Sequence, residues 1–128
     1  MHKEIIYSSE APAAVGPYSQ AVRCGSFLFT AGQVGLNPAT GALVEDDIAV
    51  QTTRALHNLK AVLSAGGADF ASVVKTTVFL KDMAEFGAMN EVYKTFFGDS
   101  PPARSAVQVA ALPLGARVEI EAVAYLPD

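Results

Sequence analysis

The clearest pattern in the chain lies near its end. In "ARVEIEAVAYL", residues 116–126, Val118, Ile120, Ala122 and Ala124 alternate with Arg117, Glu119 and Glu121. A period of two marks a strand with one face buried and the other in polar surroundings. "KEIIYS" (3–8) predicts a short first strand, and "SQAVRCGSFLFTAG" (19–32) a β-hairpin turning at Cys24-Gly25. "SVVKTTVFLK" (72–81) is rich in β-branched and apolar residues on both faces and predicts an interior strand. "ARSAVQVAAL" (103–112) predicts a further strand entered through two prolines. Between these runs the period changes. Ile48, Ala55, Leu59, Val62 and Leu63 fall on one helical stripe, which starts near Asp46 or Asp47 and stops at Gly66-Gly67. A second helix is predicted from Asp82, where Asp82 and Glu85 have the spacing of a capping box, to Gly98. "APAAVGPYS" (11–19) and "GLNPATGAL" (35–43) are turn-rich loops.

The order β, β, β, α, β, α, β, β predicts an α+β domain spanning 1–128, with about six strands and two helices. Two helices cover only one face of such a sheet. The other face still carries apolar side chains, so the chain is expected to pack sheet to sheet with sister subunits in a closed homo-oligomer. Ligand sites are then expected in the clefts between subunits.

Composition narrows the function classes. Of 128 residues, 51% are hydrophobic and 17% charged, which fits a packed core rather than disorder. The net charge of −4 argues against binding a nucleic-acid backbone, which needs a basic face. A single cysteine, Cys24, rules out an internal disulfide framework. The N-terminal stretch lacks the apolar core of a signal peptide, and no run approaches the ~20 apolar residues of a membrane span. A cytoplasmic protein is expected.

Few residues have the chemistry for a site. His2 and His57 have no neighbouring ligand set, so no metal is expected, and His57 falls on the polar side of the first helix. "AGQVGLNPATG" (31–41) is neither a P-loop nor a dinucleotide fingerprint, although Gly32 would let a ligand approach the backbone. No serine or cysteine has a histidine partner, so covalent catalysis is not expected. Three polar residues stand out. Asn90 shares a helical stripe with Phe86, Tyr93 and Phe97, and reads as a structural hydrogen bond to a neighbouring loop or as a ligand contact. Glu119 sits on the polar face of the last strand, where Glu121 is its equal. Arg104 opens a strand between Ala103 and Ser105, either as a surface charge or as a fixed cation for an anionic ligand.

In combination, "GPYSQAV", "FTAGQVGLNPATG", "VVKTTVFLKDMAEFGAMNEVYKTFF" and "PPARSAVQVAALPLGARVEIEAVA" resemble the Rid/YjgF family of imine deaminases, also called the endoribonuclease L-PSP family, over nearly the whole chain. The resemblance implies a chorismate-mutase-like fold and a homotrimer with active sites between subunits. It implies hydrolysis of 2-imino acids such as 2-iminobutanoate and 2-iminopropanoate, or their enamines, to 2-keto acids and ammonia, a damage-control reaction needing no cofactor. Arg104 would bind the substrate carboxylate, supported by the backbone N–H groups of Gly32 and Ala106. Glu119 would place the attacking water, and Tyr18, Thr30 and Asn90 would line the cleft. The chain has Ala106 where cysteine is common in the family and Thr30 where serine is common. A non-catalytic binder of small carboxylates, a chaperone-like trimer and an endoribonuclease are the alternatives; the acidic charge and the lack of a histidine pair weigh against the last.

Overall fold

The computed structural model describes residues 2–127. Seven strands form one sheet: β1 (Lys3–Ile6), β2 (Ala21–Cys24), β3 (Phe27–Thr30), β4 (Gln33–Val34), β5 (Val73–Leu80), β6 (Ala103–Gln108) and β7 (Val118–Tyr125). Two helices, α1 (Ile48–Ala65) and α2 (Phe86–Phe97), accompany it. The strand order is β1-β2-β3-β7-β5-β6, and β4 also pairs with β7. Only β5 and β6, joined through α2, run parallel; the other pairs are antiparallel. The sheet is therefore mixed, with the alternating strand β7 near its centre. The seventh strand, beyond the six expected, is the two-residue β4, which lies between the predicted hairpin (19–32) and the loop at 35–43.

Both helices lie on the face of the sheet that carries Leu28, Val78, Leu80, Val118 and Ile120. These side chains pack with Leu56, Leu59 and Leu63 of α1 and Met89 of α2, all of them without solvent exposure. Each such side chain contributes about 1.5–3 kcal/mol of transfer free energy. Helix α1 begins where its sequence places it. Asp47 caps it by accepting from the Val50 N–H at 2.9 Å, and Gly66 donates back to the Val62 and Leu63 carbonyls.

The start of α2 differs from the capping-box expectation. Asp82 caps a short 3-10 turn over Met83–Glu85 by accepting from the Ala84 N–H, and α2 proper begins at Phe86. Glu85 does not fold back on Asp82. Its carboxylate lies 3.0 Å from Arg117 Nη1, while Asp46 takes Arg117 Nε at 2.8 Å. A charged partner near in space displaced the local backbone contact. Strand β6 is also shorter than predicted and ends at Gln108, whose side chain accepts from the Met83 N–H.

The second face of the sheet has no helix. Ladder register places Ile5, Val22, Phe27, Phe29, Thr77, Phe79, Val107, Glu119, Glu121, Val123 and Tyr125 there. Phe27 packs against Phe29 and Tyr125, with ring centroids 6.4 and 5.5 Å away, yet all three rings are more than 40% exposed.

Candidate active site

The site begins with an irregularity in the sheet. Phe29 pairs with Val123 and Gln33 with Ile120, so the β3–β4 segment carries one residue more than β7 opposite it. This bulge takes Ala31 and Gly32 out of the ladder. The Ala122 N–H, facing the gap, donates instead to Thr30 Oγ1 at 3.0 Å. Gly32 is thereby pressed against Glu119. A Cβ on Gly32 would lie 2.6 Å from Glu119 Oε2 and 2.7 Å from its Cδ, so only glycine leaves the carboxylate where it is. The close approach that Gly32 permits is thus to a side chain of its own chain.

Glu119 and Gly32 line one cavity of about 660 Å³ with Tyr18, Gln33, Val34 and a rim of loop residues that includes Val15, Leu36, Pro38 and Leu114. Glu119 is half-buried. Burial, reinforced by the neighbouring Glu121 carboxylate, pushes its pKa above the usual 4.5. This answers the choice between the two glutamates. They share a face, but Glu121 pairs across to Thr77 and lies outside the cavity, whereas Glu119 faces it. The cavity wall is held from behind by Asn58 of α1. Its side-chain amide is fully buried and donates to the carbonyls of Val34 and Leu36 at 3.1 and 2.8 Å.

Arg104 lies elsewhere. It sits opposite Thr76 in the β5–β6 ladder, and Thr76 sits opposite Ala122, so its side chain is on the helix-covered face. Its guanidinium stacks over Tyr93, 4.7 Å from the ring centroid, and lies 5.2 Å from that of Phe86. Nη1 donates to Asn90 Oδ1 at 2.5 Å. Tyr93 is itself fixed by a 2.7 Å hydrogen bond to the buried hydroxyl of Thr76, and burial raises the pKa of its phenol. Among the described residues Arg104 makes no ion pair. Asn90, Tyr93 and Arg104 line a second, shallower cavity of about 370 Å³ with Pro101 and Pro102.

The seven residues singled out in the sequence therefore divide. Tyr18, Gly32 and Glu119 share one cavity, and Arg104 and Asn90 share another. Thr30 is engaged in the sheet break. Ala106 lies on the Arg104 side of β6 and packs against the core. Asn90 does take a structural hydrogen bond, but its partner is Arg104 rather than a loop. The aromatic pair beneath Arg104 was missed. Phe86 and Tyr93 lie on the same helical stripe as Asn90, a pattern indistinguishable from core packing until β6 is laid beside it.

Two comparisons fix the family. The sequence profile of the endoribonuclease L-PSP family matches residues 8–126. A mouse protein named 2-iminobutanoate/2-iminopropanoate deaminase is 54% identical over 122 residues, covering 95% of this chain and 90% of that protein. The chain belongs to the endoribonuclease L-PSP, or Rid/YjgF, family. Other Rid/YjgF members are equally near: a RutC family protein of Pyrococcus abyssi is 50% identical over 98% of both chains. Among solved Rid/YjgF structures, Escherichia coli TdcF with bound serine superposes with a TM-score of 0.93 at 42% identity, covering 97% of this chain and 99% of that one. RidA from an Antarctic Psychrobacter gives 0.92 at 42% identity, covering 96% and 99%.

Proposed function

We propose that the protein is a hydrolytic deaminase of 2-imino acids, acting as a closed homotrimer whose active sites are shared between neighbouring subunits, with neither metal nor organic cofactor. The carrying observation is the division of the site. A fixed guanidinium and a half-buried carboxylate occupy separate cavities on opposite faces of the sheet, two strand spacings of about 4.8 Å apart. Within one chain the two groups lie on opposite sides of the sheet, whereas a second copy that sets its edge strand β6 and helix α2 against the uncovered face would bring its Arg104 to Glu119. The mouse deaminase supports the reaction class, and TdcF, which holds serine, supports a ligand with a carboxylate and a nitrogen on the same carbon.

The residue types fit the chemistry. Arg104 offers a planar cation, and Asn90 occupies one N–H of Nη1, leaving further N–H groups for a carboxylate. The stacked rings hold the guanidinium without neutralising it. A 2-iminium ion is already electrophilic at C2, so the protein need only orient it and move protons. Water held by Glu119 adds its oxygen to C2 as the C=N π pair moves to nitrogen, and the carboxylate takes the water proton. The resulting carboxyl passes that proton to nitrogen. As the C–N bond breaks and ammonia leaves, the hydroxyl oxygen forms the C=O of the 2-keto acid and gives its proton to the Glu119 carboxylate, which passes it to the departing ammonia as ammonium. A carboxyl whose pKa burial raises above its ordinary value is a better proton acceptor than a solvated carboxylate and still gives the proton on, which suits both halves of this exchange.

The test generates the imine with an amino-acid oxidase and follows its decay with purified protein. Acceleration is expected, insensitive to chelators and lost by about 100-fold or more in Arg104→Ala and in Glu119→Gln. Unchanged decay, or acceleration that survives Arg104→Ala, overturns the reading.

A further inference from the structure

The rim of the Glu119 cavity carries a residue that the fold does not require. Leu114, between Pro113 and Gly115, has φ 59° and ψ 18°, and is the one non-glycine residue with positive φ among those described. A leucine in the left-handed region is strained by its Cβ. The hydrogen bonds that close this turn, Gly115 N–H to the Leu112 carbonyl and Ala116 N–H to the Pro113 carbonyl, make no use of the leucine side chain. That side chain is 67% exposed at the mouth of the cavity. Strain and apolar exposure together, with no packing gained, mark a position kept for contact with something outside the chain.

The cavity indicates what that is. Pro12, Val15, Leu36, Pro38 and Leu114 supply an apolar wall facing Glu119, and Glu119 is the only Asp, Glu, Lys, Arg or His side chain in the lining. A volume near 660 Å³ lies within the roughly 300–1,000 Å³ of pockets that enclose drug-sized ligands, far more than a three-carbon imino acid fills. We infer that Leu114 is a specificity-determining residue and that this wall binds the side chain of the imino acid, selecting uncharged, branched or long apolar side chains and rejecting acidic ones. An acidic side chain would meet the Glu119 carboxylate, while the one cation brought to the assembled site, Arg104 of the partner subunit, is taken up by the substrate's own carboxylate. The inference rests on the imine-hydrolase reading for its chemistry but not for its test.

Imines made in situ by an amino-acid oxidase from alanine, leucine and glutamate supply the kinetic arm. Wild-type kcat/KM is expected to favour the leucine-derived imine over the alanine-derived one by about 10-fold, with the glutamate-derived one slowest. In Leu114→Gly, which suits the turn's positive φ, the leucine-to-alanine ratio should fall by about the same factor. Calorimetric binding of 4-methyl-2-oxopentanoate and pyruvate, the matching keto acids, reads the same preference without turnover. If no imine is hydrolysed yet the binding preference depends on Leu114, the deaminase reading fails and the subsite stands. If both ratios are flat, or Leu114→Gly weakens both ligands equally, the subsite is overturned, and a rim contact between subunits is the role left for Leu114.

Discussion

Ionised Glu119 works against the stability of the fold that holds it. Its folded pKa is raised, so the folded chain binds this proton more tightly than the unfolded chain does. The stability linked to this group is fully present below the ordinary value of 4.5 and is lost as pH rises through the raised folded value. Glu119→Gln cannot ionise. It should melt at a higher temperature than the parent at neutral pH, and the difference should vanish below pH 4.5; scanning calorimetry across pH checks this. Arg104 is a residue whose type matters beyond its charge. Arg104→Lys keeps the cation but loses the fork, the bond to Asn90 and the stack on Tyr93. A rise in KM of about 10- to 100-fold is expected, with a smaller change in kcat. At this scale the sequence was only partly legible. It singled out Arg104 by its lack of sequence neighbours of opposite charge. It could not separate Glu119 from Glu121, because both have the same strand parity.

The elements position these residues through one bulge and one clamp. Gly32→Ala would set a Cβ against the Glu119 carboxylate. The displaced atoms are the far end of a flexible side chain, so the chain should fold with little loss of stability while kcat falls; circular dichroism beside steady-state kinetics separates the two effects. Asn58→Ala should do the reverse. It leaves the Val34 and Leu36 carbonyls without their side-chain donor and should cost about 2 kcal/mol in urea unfolding. Helix α1 was legible from its stripe, its Asp47 cap and its terminal glycines because those signals are local. The Asp82–Glu85 box was misread because Arg117, 32 residues beyond Glu85, offers a charged partner stronger than a backbone N–H. The bulge left no mark in the hydrophobic pattern beyond Gly32 itself.

On the scale of the whole molecule, the uncovered face and the divided site make one prediction between them. If each active site takes Arg104 from one subunit and Glu119 from the next, Arg104→Ala and Glu119→Gln chains are each inactive alone but complement when mixed. Random assembly from equal amounts places an intact Arg104 beside an intact Glu119 at about one site in four. Unfolding the two variants together and refolding them should therefore restore about a quarter of wild-type activity. No recovery, with mixed oligomers verified by native mass spectrometry, would return both residues to a single chain. Phe29→Asp, at the centre of the exposed aromatic cluster, should shift the protein to monomers in sedimentation and abolish turnover with it. RNA incubated with the wild type at low salt should remain intact, since the chain carries a net charge of −4.

What the sequence determined by itself was whatever depends on neighbours along the chain. Strand and helix periods, the stops at Gly66-Gly67 and Gly98, and a sheet with more apolar face than two helices can cover all follow from local spacing. What only the tertiary structure decided was the side on which each functional group emerges. Arg104 and Glu119 are 15 positions apart, and nothing in that interval fixes their relation. The ladders through Thr76 and Phe79 do, because paired residues share a face and successive residues alternate. That parity sends the cation to the helices and the carboxylate to the open face.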